Sequence, residues 1–159
     1  MLEGVDIVLA PVVPGFAVVD VETTGLSPRS DRIVEIAILT TDASGHVLDE
    51  WSTRINPGRP VGATRIHGLT DADVQTAPTF DAVAGTVAAL LSTRAMVAHN
   101  APFDSGFLQA AFERAGWSWS QTPTLCTLEA SHYYLPFLER RRLADCCYAC
   151  GIGLFDEHS

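Results

Sequence analysis

The stretch Phe16-Ala-Val-Val-Asp20-Val-Glu22-Thr-Thr-Gly25-Leu26 decides how the rest of this chain reads. Its first half is short, apolar and partly β-branched, the pattern of a buried strand. Residues two apart on a strand point to the same side, so Asp20 and Glu22 present both carboxylates to one face at the strand's C-terminal end. Two adjacent anions there repel each other and resist desolvation unless a cation joins them. A hard divalent ion such as Mg²⁺ or Mn²⁺, which prefers carboxylate oxygens, meets that need. A strand that simply ends in solvated acids is the other reading of a bare Asp-x-Glu. The following Thr23-Thr24-Gly25 favours the ligand, because hydroxyls and an unshielded backbone suit close approach.

Outward from residues 16–21, the pattern predicts a second strand over 32–39 and a third over 47–55, joined by a turn at Ser44-Gly45 and ended by Asn56-Pro57-Gly58. These three form an antiparallel-capable meander. The stretch 66–74 reads as a loop entering a short helix with Thr70 as its N-cap. A longer helix opens at Pro78-Thr79-Phe80 and runs to about residue 91, with Phe80, Val83, Val87, Leu90 and Leu91 on one side. A short buried strand over 95–98 is broken by His99-Asn100, and a helix from 102 to 115 stops at Gly116. A fifth strand near 124–127 and helices near 128–134 and 141–150 complete the chain. Three strands, then alternating helix and strand, imply an α/β sheet flanked by helices.

The chain has 159 residues, which fits one domain with a proper core; 47% are apolar, as in folded proteins that are neither disordered nor membrane-embedded. Acids near Met1 and prolines at 11 and 14 argue against a signal peptide or a membrane span, so a cytoplasmic location is expected. A net charge of −9 excludes a broad basic nucleic-acid platform, but leaves room for a small site that meets phosphate through bound metal. Of the four cysteines, Cys146, Cys147 and Cys150 cluster. No second Cys-x-x-Cys or spaced His pair completes a zinc site, so reduced thiols buried on a helix face are expected.

The segment Val97-Ala-His99-Asn100-Ala-Pro-Phe103-Asp104 repeats the design of the first strand: a strand ends in polar residues and a helix begins, with Asp104 in its first turn. Asp104 could serve only the helix dipole, or it could be a third carboxylate aimed at the same metals. With these motifs in hand, the chain resembles the DnaQ-like, DEDDh class of 3′–5′ exonucleases, similar to the proofreading epsilon subunit of bacterial DNA polymerase III. The resemblance rests on Val19-Asp20-Val-Glu22-Thr-Thr-Gly25-Leu26, Ile33-Val-Glu35-Ile, Ile66-His67-Gly68-Leu69-Thr70, His99-Asn100-Ala-Pro-Phe103-Asp104 and Phe107-Leu108. It implies a ribonuclease H-like fold, with a mixed five-stranded sheet flanked by helices.

Carried over residue by residue, the resemblance makes Asp20, Glu22 and Asp104 metal-binding carboxylates for two Mg²⁺ or Mn²⁺ ions. It places Thr23, Gly25 and Leu26 against the terminal nucleotide, Phe103 near the scissile end, and Asn100 on the loop or a phosphate. His67 matches a recurrent loop position and reads equally as a turn-stabilising histidine; Glu35 reads as structural. His158 takes the place of the general base, a task that suits imidazole because its pKa lies near neutrality. The carboxylate that pairs with this histidine in the family falls past Ser159, so the resemblance implies a domain truncated at its C-terminus, with the last helix missing and activity in question. The expected substrate is a single-stranded nucleic-acid 3′ end, DNA ahead of RNA, in proofreading or repair with a possible DNA polymerase partner. The alternatives are an RNA-directed exoribonuclease and an inactive nuclease-like binding module.

Overall fold

The computed structural model describes residues 14–119 and 122–153. Five strands form one mixed sheet in the order β3-β2-β1-β4-β5. β1 (Phe16–Thr23) lies antiparallel to β2 (Ile33–Thr41), which lies antiparallel to β3 (Val47–Arg54). β4 (Ala95–Ala98) runs parallel to β1, and β5 (Thr124–Cys126) parallel to β4. The helices are α1 (Thr64–His67), α2 (Asp71–Val74), α3 (Phe80–Leu91), α4 (Ala101–Arg114), α5 (Thr127–Tyr134) and α6 (Leu143–Ala149). The mixed five-stranded sheet and its helices match the architecture expected from the sequence.

Alternation on β1 decides which face is core. Ala17, Val19, Val21 and Thr23 are buried, whereas Val18, Asp20 and Glu22 occupy the other face. The buried side meets Ile36 and Ile38 of β2, then Phe80, Ala84, Val87 and Leu91 of α3 and Phe107, Leu108, Ala111 and Phe112 of α4. Phe80 and Phe112 lock the two helices edge to face at 5.2 Å. A register shift between Glu22 and Thr23 places Ile33 opposite Thr23 and leaves Val34 as the extra residue of β2. Val34 joins a second small core with Val61, Leu69 and Val74, which seats the 55–77 segment beside the end of β1.

Two sequence expectations change. Residues 66 and 67, read as the start of a loop, belong to the single turn α1; four residues are too few to show a helical period. Thr70 caps α2 as expected, and the Asp73 carboxylate accepts from its amide at 2.8 Å and its hydroxyl at 2.6 Å. The four cysteines are free, but Cys146 and Cys147 are only half-buried and Cys150 is exposed, because no other element covers that side of α6 among the described residues. No helix among the described residues is long and apolar enough to cross a membrane.

Candidate active site

The C-terminal end of β1 and the start of α4 build the site together. β4 ends at Ala98, and Asn100 takes a left-handed conformation (φ 75, ψ 50) that Asn tolerates better than most residues. This turn launches α4 with Pro102 and Asp104 both in its first turn. The Asn100 side chain makes no capping bond to α4, so its contribution here is the backbone turn. His99 secures the same corner: its Nε2–H donates to the Arg141 carbonyl at 2.7 Å, leaving Nδ1 to accept from the Thr127 hydroxyl at 3.0 Å.

Asp104 is buried, with 4% of its surface exposed, and its Oδ1 accepts from the Val21 amide at 3.2 Å. Val21 lies between Asp20 and Glu22, so this bond brings the third carboxylate against the first two. Burial, then the nearby Asp20 charge, push the Asp104 carboxyl up to about 7, with Glu22 adding a smaller push. Asp20 is exposed at the surface, yet partial desolvation still raises its pKa. Glu22 is raised by burial and then by Asp20, with His67 pulling the other way. None of the three has an ion-pair partner among the described residues.

A cleft of about 370 Å³ opens beside Glu22, walled by Thr23, Gly25, Leu26, Ala63, Ile66, His67 and Phe103. Leu26 is 81% exposed and Ile66 80%, so two large apolar side chains stand free at its mouth. Thr23 turns its hydroxyl to the Gly25 carbonyl at 2.6 Å, leaving backbone, not hydroxyl, for a ligand. His67 Nδ1 accepts from the Leu69 amide at 3.1 Å, which places the ring proton on Nε2. That Nε2–H is buried and has no partner among the described residues.

The sequence-predicted residues Asp20, Glu22 and Asp104 therefore converge, and Thr23, Gly25, Leu26, His67 and Phe103 line one cleft. Glu35 lies on the same sheet face, opposite Glu22, and pairs with Arg54 at 3.8 Å, in line with a structural role. His158 lies outside the described residues. Ile66 and Ala63 were missed because α1 was read as loop. Asp31 was missed too: it accepts from the Ser27 amide at 3.0 Å and the Thr24 hydroxyl at 3.1 Å. A Cβ on Gly25 would lie 2.6 Å from the Asp31 carboxylate, so Gly25 makes room for this brace. An acid near a turn is the only trace of it in the sequence, and it names no partner.

The donor set suits a hard divalent cation: three carboxylates with raised pKa values and no ion-pair partner among the described residues, of which Glu22 lines the cleft. Among the described residues, however, no three His, Cys, Asp or Glu side chains close into a ready metal-binding cluster.

A family model for exonucleases, RNase_T, matches residues 17–159. The PolC-type DNA polymerase III of Bacillus cereus is 34% identical over 145 residues, covering 90% of this chain and 10% of that protein. The 3′-5′ exonuclease DinG of Bacillus subtilis is 35% identical over 133 residues, covering 82% of this chain and 14% of that protein. This chain thus spans only a small part of the length of these relatives. E. coli exonuclease I in complex with a dA16 oligonucleotide superimposes with a TM-score of 0.77 at 21% identity, over 91% of this chain and 37% of that one, a likeness of fold.

Proposed function

This chain belongs to the exonuclease family, and on that premise we propose that it removes nucleotides from single-stranded DNA 3′ ends, releasing nucleoside 5′-monophosphates in proofreading or repair. One observation carries the reading: the Val21–Asp104 bond brings a buried carboxyl against Asp20 and Glu22, where no cation among the described residues pairs with them. Asp20, Glu22 and Asp104 would hold Mg²⁺ or Mn²⁺, and bound ions there supply an activated water and offset charge on the phosphate.

The chain's own part is positioning. Leu26, Ile66 and Phe103 offer apolar walls to the terminal base, and the backbone of Thr23 and Gly25 reaches the sugar. His67 offers its free Nε2–H to a sugar or phosphate oxygen, which would satisfy a donor that is otherwise orphaned. His158 is assigned the general base, accepting a proton from the attacking water. The PolC-type relatives support a setting beside a DNA polymerase.

A second reading, a nuclease-like binding module without turnover, is favoured by the lack of a closed three-ligand cluster among the described residues. Matched DNA and RNA oligonucleotides, with and without Mg²⁺ or Mn²⁺, test both. Metal-dependent mononucleotide release that Asp20→Ala abolishes, with binding retained, supports the enzyme. Release that Asp20→Ala leaves unchanged sinks this site, faster cleavage of RNA reverses the choice of substrate, and binding without release favours the module.

A further inference from the structure

Two segments frame the mouth of the cleft. Residues 24–32 bring Gly25 and Leu26 to it, and residues 57–65 bring Ala63 and lead into Ile66 and His67. The segments lie side by side: a Cβ on Gly62 would stand 3.2 Å from the Thr24 carbonyl, and Arg59 Nη1 donates to the Ser30 carbonyl. Together they carry four arginines, Arg29, Arg32, Arg59 and Arg65, against one acid, Asp31, in a chain whose net charge is −9.

The turn that closes the first segment gathers these cations. Each of the four carbonyls from Pro28 to Asp31 accepts from a guanidinium. Arg114 Nη2 serves Pro28 and Arg29, Arg32 Nη1 serves Ser30 (3.1 Å) and Asp31 (2.9 Å), and Arg59 joins Arg32 on Ser30. Carbonyls fix these side chains without cancelling their charge. Asp31 is already engaged by the Ser27 amide and the Thr24 hydroxyl. None of the five arginines forms an ion pair among the described residues. Arg29, Arg59 and Arg65 are exposed, and like charges held this close repel until anions join them.

These charges follow two adjoining segments outward from the cleft, so a chain of anions matches them better than a single ion does. A guanidinium fork suits phosphate in geometry as well as charge. We propose that the single strand 5′ of the nucleotide in the cleft runs along this ridge, with Arg29, Arg59 and Arg65 on its phosphates and Arg32 and Arg114 bracing the turn. The proposal rests on the reading of the cleft as the seat of a 3′-terminal nucleotide, but its test needs neither metal nor turnover.

Fluorescence anisotropy in EDTA follows 5′-labelled decathymidylate and dithymidylate across a salt series. The decamer should bind at least about tenfold tighter than the dimer at low salt. Its log K should fall against log salt with a slope of about 0.7 per phosphate contact. Arg29→Gln and Arg65→Gln spare the guanidinia that brace the turn. Each should flatten the slope by about 0.7, and the pair by about 1.4, with dimer binding and melting temperature unchanged. Arg140→Gln, outside the ridge, should leave the slope as it is. The ridge is ruled out if both ridge variants keep the parent slope, if Arg140→Gln flattens it as much, or if the two oligonucleotides bind alike. Hexaglutamate that displaces the labelled decamer at lower concentration than unlabelled decamer does would assign these arginines to an acidic peptide and overturn the proposal. A chain that shows the expected slopes yet releases no mononucleotide keeps the ridge and loses the nuclease reading; release with unflattened slopes does the reverse.

Discussion

The amide nitrogen of Val21 donates to Oδ1 of Asp104 at 3.2 Å, joining β1 to the first turn of α4 across 83 positions of sequence. The third acid is thus placed by a backbone bond, and its charge is a separate property. Asp104→Asn keeps an acceptor for Val21 and removes the charge; Asp104→Ala removes both. Both variants should lose nuclease rate by about 10²-fold or more, as expected when a group acting on developing charge is deleted. Only the alanine should destabilise the fold, by about 1–3 kcal/mol, because it orphans a buried donor. Denaturant midpoints distinguish the two, and an asparagine variant as unstable as the alanine would contradict this division.

The raised Asp104 pKa sets a pH dependence of stability. Near pH 5 the folded chain keeps a proton on Asp104, whose pKa is about 7, while an unfolded Asp near 3.8 has released it. Folding is therefore penalised progressively as pH rises from about 4 to 7, the reverse of an ordinary ion-paired Asp. Asp20 and Glu22 are shifted in the same direction and add to the trend. Asp31, Asp73 and Asp145 are lowered, so their stabilisation is lost only as pH falls below about 4, outside this window. After allowance for solvent screening, a loss of about 1–2 kcal/mol is expected between pH 5 and 8 in EDTA. Asp104→Asn should flatten the profile, and excess Mg²⁺ should stabilise the parent more at pH 8 than at pH 5. Thermal melts across this range provide the check, and a parent that gains stability towards pH 8 in EDTA would refute the assignment.

How far the sequence could be read depends on the range of the interaction. Asp20 and Glu22 were legible because the two-residue period of a strand is local, and the structure keeps them on one face. The succession of strands along the chain and the place of Asp104 in the first turn of α4 followed from hydrophobic runs and turn residues. The bulge at Val34 was not legible, since it depends on how β2 registers against β1 and leaves no mark in composition. Neither was the brace from Asp31 to Ser27 and Thr24, because an acid in a turn has many local partners open to it. The cysteines failed for a related reason: Cys146, Cys147 and Cys150 share spacing with a buried helix face, but burial needs a covering element.

His67 serves two roles that substitution can separate. Its Nδ1 holds the Leu69 amide, and its Nε2–H is buried without a partner among the described residues, in a side chain that lines the cleft. His67→Asn can still offer an oxygen to Leu69, but loses the Nε2–H donor. It should raise KM for an oligonucleotide about tenfold, the cost of one unmade hydrogen bond of about 1.4 kcal/mol, with kcat little changed. His67→Ala should add a lower melting temperature by freeing the turn. Unchanged KM in the asparagine variant would reduce His67 to a turn residue.

The sheet face that carries Asp20 makes a prediction about association. Strand register aligns Leu125, Val97, Val18 and Leu39 in one row across β5, β4, β1 and β2, with Glu50 of β3 at its end. Val18 is 40% exposed and Leu125 45%. Parallel strands such as β1, β4 and β5 are normally covered on both faces, whereas α3 and α4 occupy only the opposite side here. An apolar row open to water lowers its free energy by pairing with a similar row, at roughly 25 cal/mol per Å² removed from solvent. The 159-residue chain should therefore self-associate as its concentration rises, seen as a growing mass by light scattering after gel filtration. Leu125→Lys together with Val18→Thr should shift the equilibrium towards monomer, because neither side chain packs in the core and the β-branched threonine keeps strand preference. A parent chain that stays monomeric at about millimolar concentration would show that the row is not sticky enough to matter, and a double variant that unfolds would place these side chains in the core after all.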